Sequence, residues 1–306
     1  MLQAVSISAA QKPTVFVSDA NAGDVPYFRA QKPFDFVGTL AGSPLGAPFG
    51  LAIDNRQNLY VCNWTPGSPN STILVYPKAG HSPDAVLMDN DAAPYSVAVG
   101  NDRTVYVANL FLQTGNSKQY PGNVVVYPPG STTPSATLTD KSFGYVTGVA
   151  VDANANVYVS YDTGLTFAAK RSGGTTTGKV AEFPAGSMTP KELFSTPGPK
   201  GNSGVDSIAL DAKGNIVVLA YWADDILVYP PGDKRPVRAF GLDKHGIEQQ
   251  LAFDSTGKML FVPVLYENEV DVFDYTSGAL IAQIADPDAF AGPVGIAVAP
   301  RLALPR

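Results

Sequence analysis

The side chains of this 306-residue chain that could support acid–base or metal chemistry are few and widely spaced. We single out Asp19, Asp206 and Glu248 as candidate catalytic residues, because a carboxylate can act as a general acid or base or bind a hard cation. Asp206 is also the candidate metal ligand. Zinc sites usually need two or three histidines, and the chain has only His81 and His245, both in predicted turns. A carboxylate site is therefore the chemistry that the sequence leaves open.

Other motifs of common active sites are absent or incomplete. The sequence contains neither a G-x-S-x-G elbow nor a P-loop. Asp152-x-Asn154-x-Asn156 resembles the start of a calcium loop, but it lacks the glycine and glutamate that such a loop needs at its sixth and twelfth positions. Similar stretches recur along the chain, so we predict hairpin turns. The single cysteine, Cys62, follows an apolar run and is interpreted as a buried side chain.

Aromatic residues supply the second candidate site. A concave cluster of rings with polar edges suits carbohydrate, aromatic or peptide ligands. The alternative is that several of these rings only plug the mouth of a central channel. The predicted ligand-binding residues are Phe49, Trp64, Tyr95, Phe111, Tyr145, Tyr161, Trp222 and Tyr266.

A repeated pattern indicates how these side chains are positioned. Six short apolar runs have alanine at their centre, and successive alanines are 43 to 59 residues apart, the period of a four-stranded propeller blade. Because inner strands of neighbouring blades converge, one face of each has room only for a small residue. The six alanines are Ala52, Ala98, Ala150, Ala209, Ala252 and Ala297.

Each alanine run is read as the innermost strand a of a blade. A polar turn and a second β-rich run, strand b, follow it, and then come strand c, which often ends in Val-Tyr-Pro, and a short outer strand d. The last alanine run has no further strands after it, whereas residues 14–40 supply b, c and d without an a. The fold class predicted is therefore an all-β, six-bladed propeller with four-stranded antiparallel blades, closed by pairing of the last strand a with the N-terminal strands.

The predicted domain organisation follows from these repeats. One propeller domain spans residues 14–299, between an N-terminal tail, 1–13, and a C-terminal tail, 300–306. Long b–c loops at residues 63–71, 110–122 and 162–178 are expected to form a wall beside the aromatic residues, either as a lid or partner surface or as irregular excursions. The predicted blades cover approximately 49–89, 94–138, 146–195, 205–240, 248–284 and 293–299 with 14–40.

The repeats resemble those of known propeller families. The Gly-(Val/Ile)-Ala-Val-Asp runs, with Asn-Val-Tyr-Val and Val-Tyr-Pro after them, are similar to NHL repeats, and Val105-Tyr106-Val107-Ala108-Asn109 is similar to the YVTN repeat. The resemblance covers residues 14–299 and implies the propeller fold. It implies function only weakly, because these families include partner-binding scaffolds, lactonases and lyases.

Comparison with the lactonases of this fold separates the two functional hypotheses. In that family, carboxylate and asparagine metal ligands precede the strand-a glycine. Of the matching residues here, only Asp206 is a carboxylate; the others are Phe49, Tyr95, Thr147, Gln249 and Val294. We therefore predict a non-enzymatic scaffold that holds a small ligand or partner peptide at the aromatic, long-loop face, with no cofactor. The alternative is a metal-dependent lactonase, hydrolase or lyase at the channel mouth, with a calcium-like divalent ion.

Composition limits the partners. The net charge of −6 is spread without runs of like charge, so we expect neither nucleic acid nor membrane insertion, and the expected partners are a small molecule, a carbohydrate, a peptide or a protein. Charged residues make up 16% of the chain while small polar and turn residues are plentiful. This balance favours an extracytoplasmic location, secreted or periplasmic.

Overall fold

The computed structural model describes residues 13–40, 45–78, 80–90, 92–114, 117–119, 121–163, 176–198, 203–220, 225–241 and 250–306. In these ranges every regular element is a β-strand. The strands are β1 Thr14–Asp19, β2 Pro26–Arg29, β3 Phe36–Thr39, β4 Ala47–Ile53, β5 Leu59–Trp64, β6 Asn70–Tyr76, β7 Ala85–Asn90, β8 Ala92–Val99, β9 Val105–Thr114, β10 Ser117–Gln119, β11 Asn123–Tyr127, β12 Ala136–Leu138, β13 Tyr145–Val151, β14 Val157–Thr163, β15 Thr177–Phe183, β16 Lys191–Ser195, β17 Ser207–Leu210, β18 Ile216–Ala220, β19 Asp225–Tyr229, β20 Arg238–Gly241, β21 Ala252–Phe253, β22 Met259–Val264, β23 Glu269–Asp274, β24 Ala279–Ala285 and β25 Pro293–Ala299.

These strands form six antiparallel sheets, which are the six predicted blades. Blades one to five begin with β4, β8, β13, β17 and β21. Blade six has the order β25-β1-β2-β3, so the last strand pairs with the first one described, with Thr14 opposite Ala299 and Val17 opposite Ile296. This pairing confirms the predicted closure of the ring, which leaves no unpaired inner strand at the junction between the two ends.

Blade two differs from the prediction of four strands and a long b–c loop. Strand β9 continues through Leu110–Thr114, and residues Leu112–Thr114 pair with the additional strand β10. The extension is stable as a strand because its side chains alternate: Phe111 and Gln113 are buried, whereas Leu112 is only partly so. The start of the 110–122 segment is therefore regular β-structure.

The predicted a–b hairpins are confirmed, and an aspartate at the end of strand a stabilises them. Asp152 Oδ1 accepts hydrogen bonds from the backbone N–H groups of Asn154 and Asn156, both at 2.9 Å, and its Oδ2 accepts one from the Asn156 amide at 2.8 Å. Asp54 and Asp211 make the same set of bonds. The stretch that resembles a calcium loop is thus an Asx-stabilised turn.

The hydrophobic core is divided among the six seams between successive blades. Each seam contains the strand-a alanine of one blade, packed against branched side chains from strand a of the next. Ala150 of blade three, for example, packs with Ile208 of blade four. The small residue lets the inner strands approach each other, as the sequence pattern indicates.

The six inner strands surround an axial channel, which has two different ends. We call the end where strand a begins and b turns into c the loop face, and the end with the a–b hairpins the hairpin face. A cavity of about 160 Å³ lies along the axis, and residues of the tail after β25 line it near the hairpin face. Arg301 donates to the backbone oxygen of Val99 at 2.6 Å and to Asn101 Oδ1 at 2.9 Å. Pro305 accepts a bond from the N–H of Ala153 at 2.8 Å.

Arg301→Ala should lower the free energy of unfolding by about 2 kcal/mol, because it removes two charge-assisted hydrogen bonds that join blade six to blade two. Urea unfolding followed by tryptophan fluorescence measures the change. Arg306→Ala is the matched control, since Arg306 is exposed. If the two variants unfold at the same urea concentration, Arg301 does not hold the tail against the ring.

Candidate functional site

A continuous row of aromatic rings crosses the loop face of blades one to three. Tyr95 lies 5.2 Å from Phe49, and Phe49 lies 5.8 Å from Trp64, measured between ring centroids. Trp64 then contacts Phe111 at 5.9 Å, and Phe111 contacts Tyr145 at 6.2 Å. Five of the eight predicted ligand-binding residues are thus brought together, in tilted and edge-to-face pairs that aromatic rings favour.

Irregular pairing at the start of strand a directs the first rings of the row. The register of β4 with β5 shifts between Pro48 and Leu51, and that of β8 with β9 shifts on either side of Pro94. Such bulges turn side chains away from the regular alternation. Gly50 permits this geometry, because a Cβ there would lie 2.6 Å from the backbone oxygen of Tyr95 in the next blade.

Exposure divides the row into two parts. Phe111 and Tyr145 are only 2% exposed and belong to a buried cluster, so no ligand can reach most of their surface. Phe49, Trp64 and Tyr95 are partly exposed. We call these three residues the aromatic triad, which is the part of the row that a ligand can contact.

The remaining predicted ring residues lie elsewhere. Tyr161 is buried against Phe143, with ring centroids 4.6 Å apart. Tyr266 is 67% exposed, in the turn after β22. Trp222 lies outside the described residues.

A glutamine that the sequence reasoning missed holds the indole of the triad. Trp64 Nε1 donates to Gln113 Oε1 at 3.2 Å, and Gln113 Nε2 donates to the backbone oxygen of Ser68 at 2.9 Å. Gln113 is buried, in the extension of β9. The ring of Trp64 is therefore oriented before any ligand arrives, which reduces the entropy that binding would cost.

The charges of two carboxylates act on the hydroxyl of Tyr95 in the triad. Burial, and then the charges of Asp206 and Asp162, raise the pKa of Tyr95 well above its usual value. Asp206 directly precedes β17 and is partly buried, while Asp162 accepts a hydrogen bond from the N–H of Val205 at 3.1 Å. The Tyr95 hydroxyl stays neutral at physiological pH and can donate a hydrogen bond.

The other candidate catalytic residues do not share this place. Asp19 is fully buried in blade six, where its two oxygens accept four backbone N–H groups, from Asn21, Ala22, Ala291 and Gly292, at 2.6–3.0 Å. Glu248 lies outside the described residues. In the described ranges, no group of three or more His, Cys, Asp or Glu side chains is placed to hold a metal ion.

Known proteins match this chain by structure rather than by sequence. No family model matches the sequence, and a search of curated proteins found no match either. Solved structures do match. A chain in the crystal structure of a nidogen/laminin complex is similar over 95% of this chain and all of its own length, with a TM-score of 0.71 and 14% identity.

A second similar structure is a protein of unknown function from Bacteroides caccae, with a TM-score of 0.66 and 12% identity over 94% of this chain and 98% of its own. At these identities the similarity establishes the fold alone. The chain is a six-bladed β-propeller. No helix among the residues described is long and apolar enough to cross a membrane.

Proposed function

We propose that this propeller is a non-enzymatic scaffold of the NHL/YVTN type, and that it works outside the cytoplasm. Its partner is a peptide segment of another protein, held at the aromatic triad. One observation carries the proposal: three partly exposed rings from two blades are in contact, and the indole among them is fixed by a buried glutamine.

The chemistry of the triad suits a peptide. Its rings provide apolar surface for a side chain of the partner, and aromatic residues are the usual anchors of protein interfaces. The Tyr95 hydroxyl and the partly buried carboxylate of Asp206 supply polar groups for a peptide backbone or a basic side chain. The nidogen/laminin structure supports the proposal, since it contains a propeller of this shape within a protein–protein complex.

Trp64→Ala should weaken peptide binding at least tenfold, because it removes the indole of the triad that Gln113 holds in place. Peptides selected from a random phage-displayed library against the unaltered protein would be titrated by fluorescence anisotropy. Phe36→Ala is the control, since Phe36 is 48% exposed on the outer strand β3, away from the triad. We expect its affinity to stay within about twofold of the unaltered protein.

Two results would contradict the proposal. One is equal affinity of the Trp64→Ala and Phe36→Ala variants for the selected peptides. The other is calcium-dependent hydrolysis of a lactone that is lost in Asp206→Asn, which would establish the enzymatic alternative at the same face.

A further inference from the structure

A second cavity, unrelated to the loop face, lies between blade six and blade one. It has a volume of about 190 Å³ and opens at the hairpin end of the two blades. Its walls include the rings of Phe16 and Tyr27, whose centroids are 5.7 Å apart, and His81, whose ring is 6.5 Å from that of Tyr27. We call it the seam pocket.

Two buried polar atoms in the seam pocket have no hydrogen-bond partner in the described structure. They are the hydroxyl of Tyr76, a residue that is 1% exposed, and Oε1 of Gln57. Buried polar atoms in native proteins are nearly always paired, so an unpaired donor and an unpaired acceptor in one cavity indicate a missing partner.

Equivalent positions in other blades show what the pocket lacks. Tyr127 takes the place of Tyr76 in the seam between blades one and two, and its hydroxyl donates to the backbone oxygen of Met88 at 2.7 Å. Tyr229 takes this place between blades three and four; its hydroxyl also has no partner among the described residues, but the ring of Phe194 stacks on it, with centroids 3.8 Å apart. Next to Tyr76 a cavity replaces both the backbone acceptor and the stacked ring.

Gln57, which lines the pocket, has a backbone conformation that residues other than glycine rarely adopt. Its φ of +67° lies in the left-handed region, where glycine is favoured, and glycine does stand at this hairpin position in two other blades, as Gly214 and Gly257. The turn itself imposes this conformation, since Arg103 and Ala155 also have a positive φ at the equivalent position of blades two and three. In blade one the turn places the unpaired Oε1 of Gln57 at the cavity.

The charge of the lining selects an anion. Arg29 lines the seam pocket and makes no ion pair within the described part of the chain, and none of the lining residues is a carboxylate. A guanidinium pairs with a carboxylate through two parallel hydrogen bonds. The size of the pocket suits one ring, since an apolar cavity of about 150 Å³ in another protein accommodates benzene.

We propose that the seam pocket binds a small aromatic carboxylate that carries a hydroxyl group. The ring lies among Phe16, Tyr27 and His81, and the carboxylate pairs with Arg29. The hydroxyl donates to Gln57 Oε1 and accepts from the Tyr76 hydroxyl. This site is independent of the peptide-binding site proposed at the aromatic triad.

The test is a titration of the protein with 4-hydroxybenzoate, followed through the histidine ring signals in ¹H–¹³C NMR spectra. The chain has only two histidines, so His245→Gln identifies the signal of His81. We expect a saturable shift of the His81 signal, with a Kd of about 0.1–1 mM for a ligand of this size. Benzyl alcohol and benzylamine should bind at least tenfold more weakly because they lack the carboxylate.

Two variants with the same backbone change separate binding from folding. Gln57→Gly should weaken 4-hydroxybenzoate binding by about threefold to tenfold while the unfolding temperature stays equal or rises, because the strain is relieved. Arg103→Gly is the control: Arg103 has a φ of +72° at the equivalent hairpin position of blade two and does not line the seam pocket. Its affinity should equal that of the unaltered protein.

Arg29→Gln should weaken binding of 4-hydroxybenzoate at least tenfold. The proposal is overturned if 4-hydroxybenzoate gives no saturable shift of the His81 signal, or if benzyl alcohol binds as well as the acid. It is also overturned if cyclohexanecarboxylate binds as well as the aromatic acid, or if Gln57→Gly and Arg103→Gly change the affinity equally.

Discussion

Asp19→Ala should lower the free energy of unfolding by about 4–5 kcal/mol, the largest loss that we expect from a single substitution in this chain. The carboxylate is fully buried and accepts four backbone N–H groups. Two of these donors belong to Ala291 and Gly292, just before the strand that closes the ring. The substitution leaves all four donors without an acceptor, at about 1–3 kcal/mol for each one that water cannot reach.

Chemical denaturation monitored by circular dichroism measures this effect. Asp288→Ala is the matched control, since Asp288 is an exposed aspartate in the same segment before β25, and its removal should change stability by less than about 0.5 kcal/mol. If Asp19→Ala unfolds at the same denaturant concentration as the control, the carboxylate does not join the two ends of the ring.

Asp19 also illustrates which part of the structure the sequence could predict. Because its carboxylate could act as an acid, a base or a cation ligand, it was a candidate catalytic residue. Two of the four donors that satisfy it, the N–H groups of Ala291 and Gly292, are more than 270 positions away in the chain. Local pattern reveals strands and turns, because both depend on neighbouring residues. It does not reveal which backbone donors a distant loop brings to a carboxylate.

The seams between the blades were predictable because they, too, leave a pattern in the sequence. Alanine recurs wherever two inner strands must approach, so the pattern identified the six seams and the closure of the ring. Gln250, at the start of one of these runs, makes contacts that the pattern did not reveal. Its side chain accepts from the N–H groups of Leu51 and Ile296 at 3.0 and 2.7 Å and donates to the Leu51 oxygen at 2.8 Å. These contacts link blade five to blades six and one, and a single polar residue in an apolar run gives no sign of its partners.

The sequence also did not reveal which of the aromatic rings are exposed. Trp64 and Phe111 are both aromatic residues at or beyond the end of a strand b. The sequence pattern therefore predicted both of them to be ligand contacts. The structure buries Phe111 because the extended strand β9, to which it belongs, packs its ring against Ala93, Tyr145 and Trp64. Whether a ring is a ligand contact or a filler depends on the length of the neighbouring segment, which repeat spacing does not determine.

A buried acid in the seam between blades one and two leads to a prediction about pH. Asp89 is 4% exposed, and burial raises its pKa from 3.8 to about 7, although hydrogen bonds from Asn109 and Tyr127 lower it. Its Oδ2 has no partner among the described residues. Folding therefore favours the protonated form of this side chain.

The sign of the effect follows from proton binding. Between pH 4 and 7 the folded state keeps a proton that the unfolded state has released, so stability falls as the pH rises. The loss is about 1.4 kcal/mol per pH unit, or about 4 kcal/mol over the window, and the curve is flat above it. Below pH 4 both states are protonated, and the stabilisation is fully present.

Asp89→Asn should abolish this dependence, because an amide is neutral at every pH in the window. Its Nδ2 can also donate to Asn109 Oδ1, which lacks a partner in the described structure. At pH 8 the variant should be more stable than the unaltered protein by about 3 kcal/mol, measured by urea unfolding from pH 4 to 8. The exposed substitution Asp288→Asn should leave the pH profile unchanged. Parallel profiles of the unaltered protein and Asp89→Asn would show instead that Asp89 has the same pKa in the folded and unfolded states.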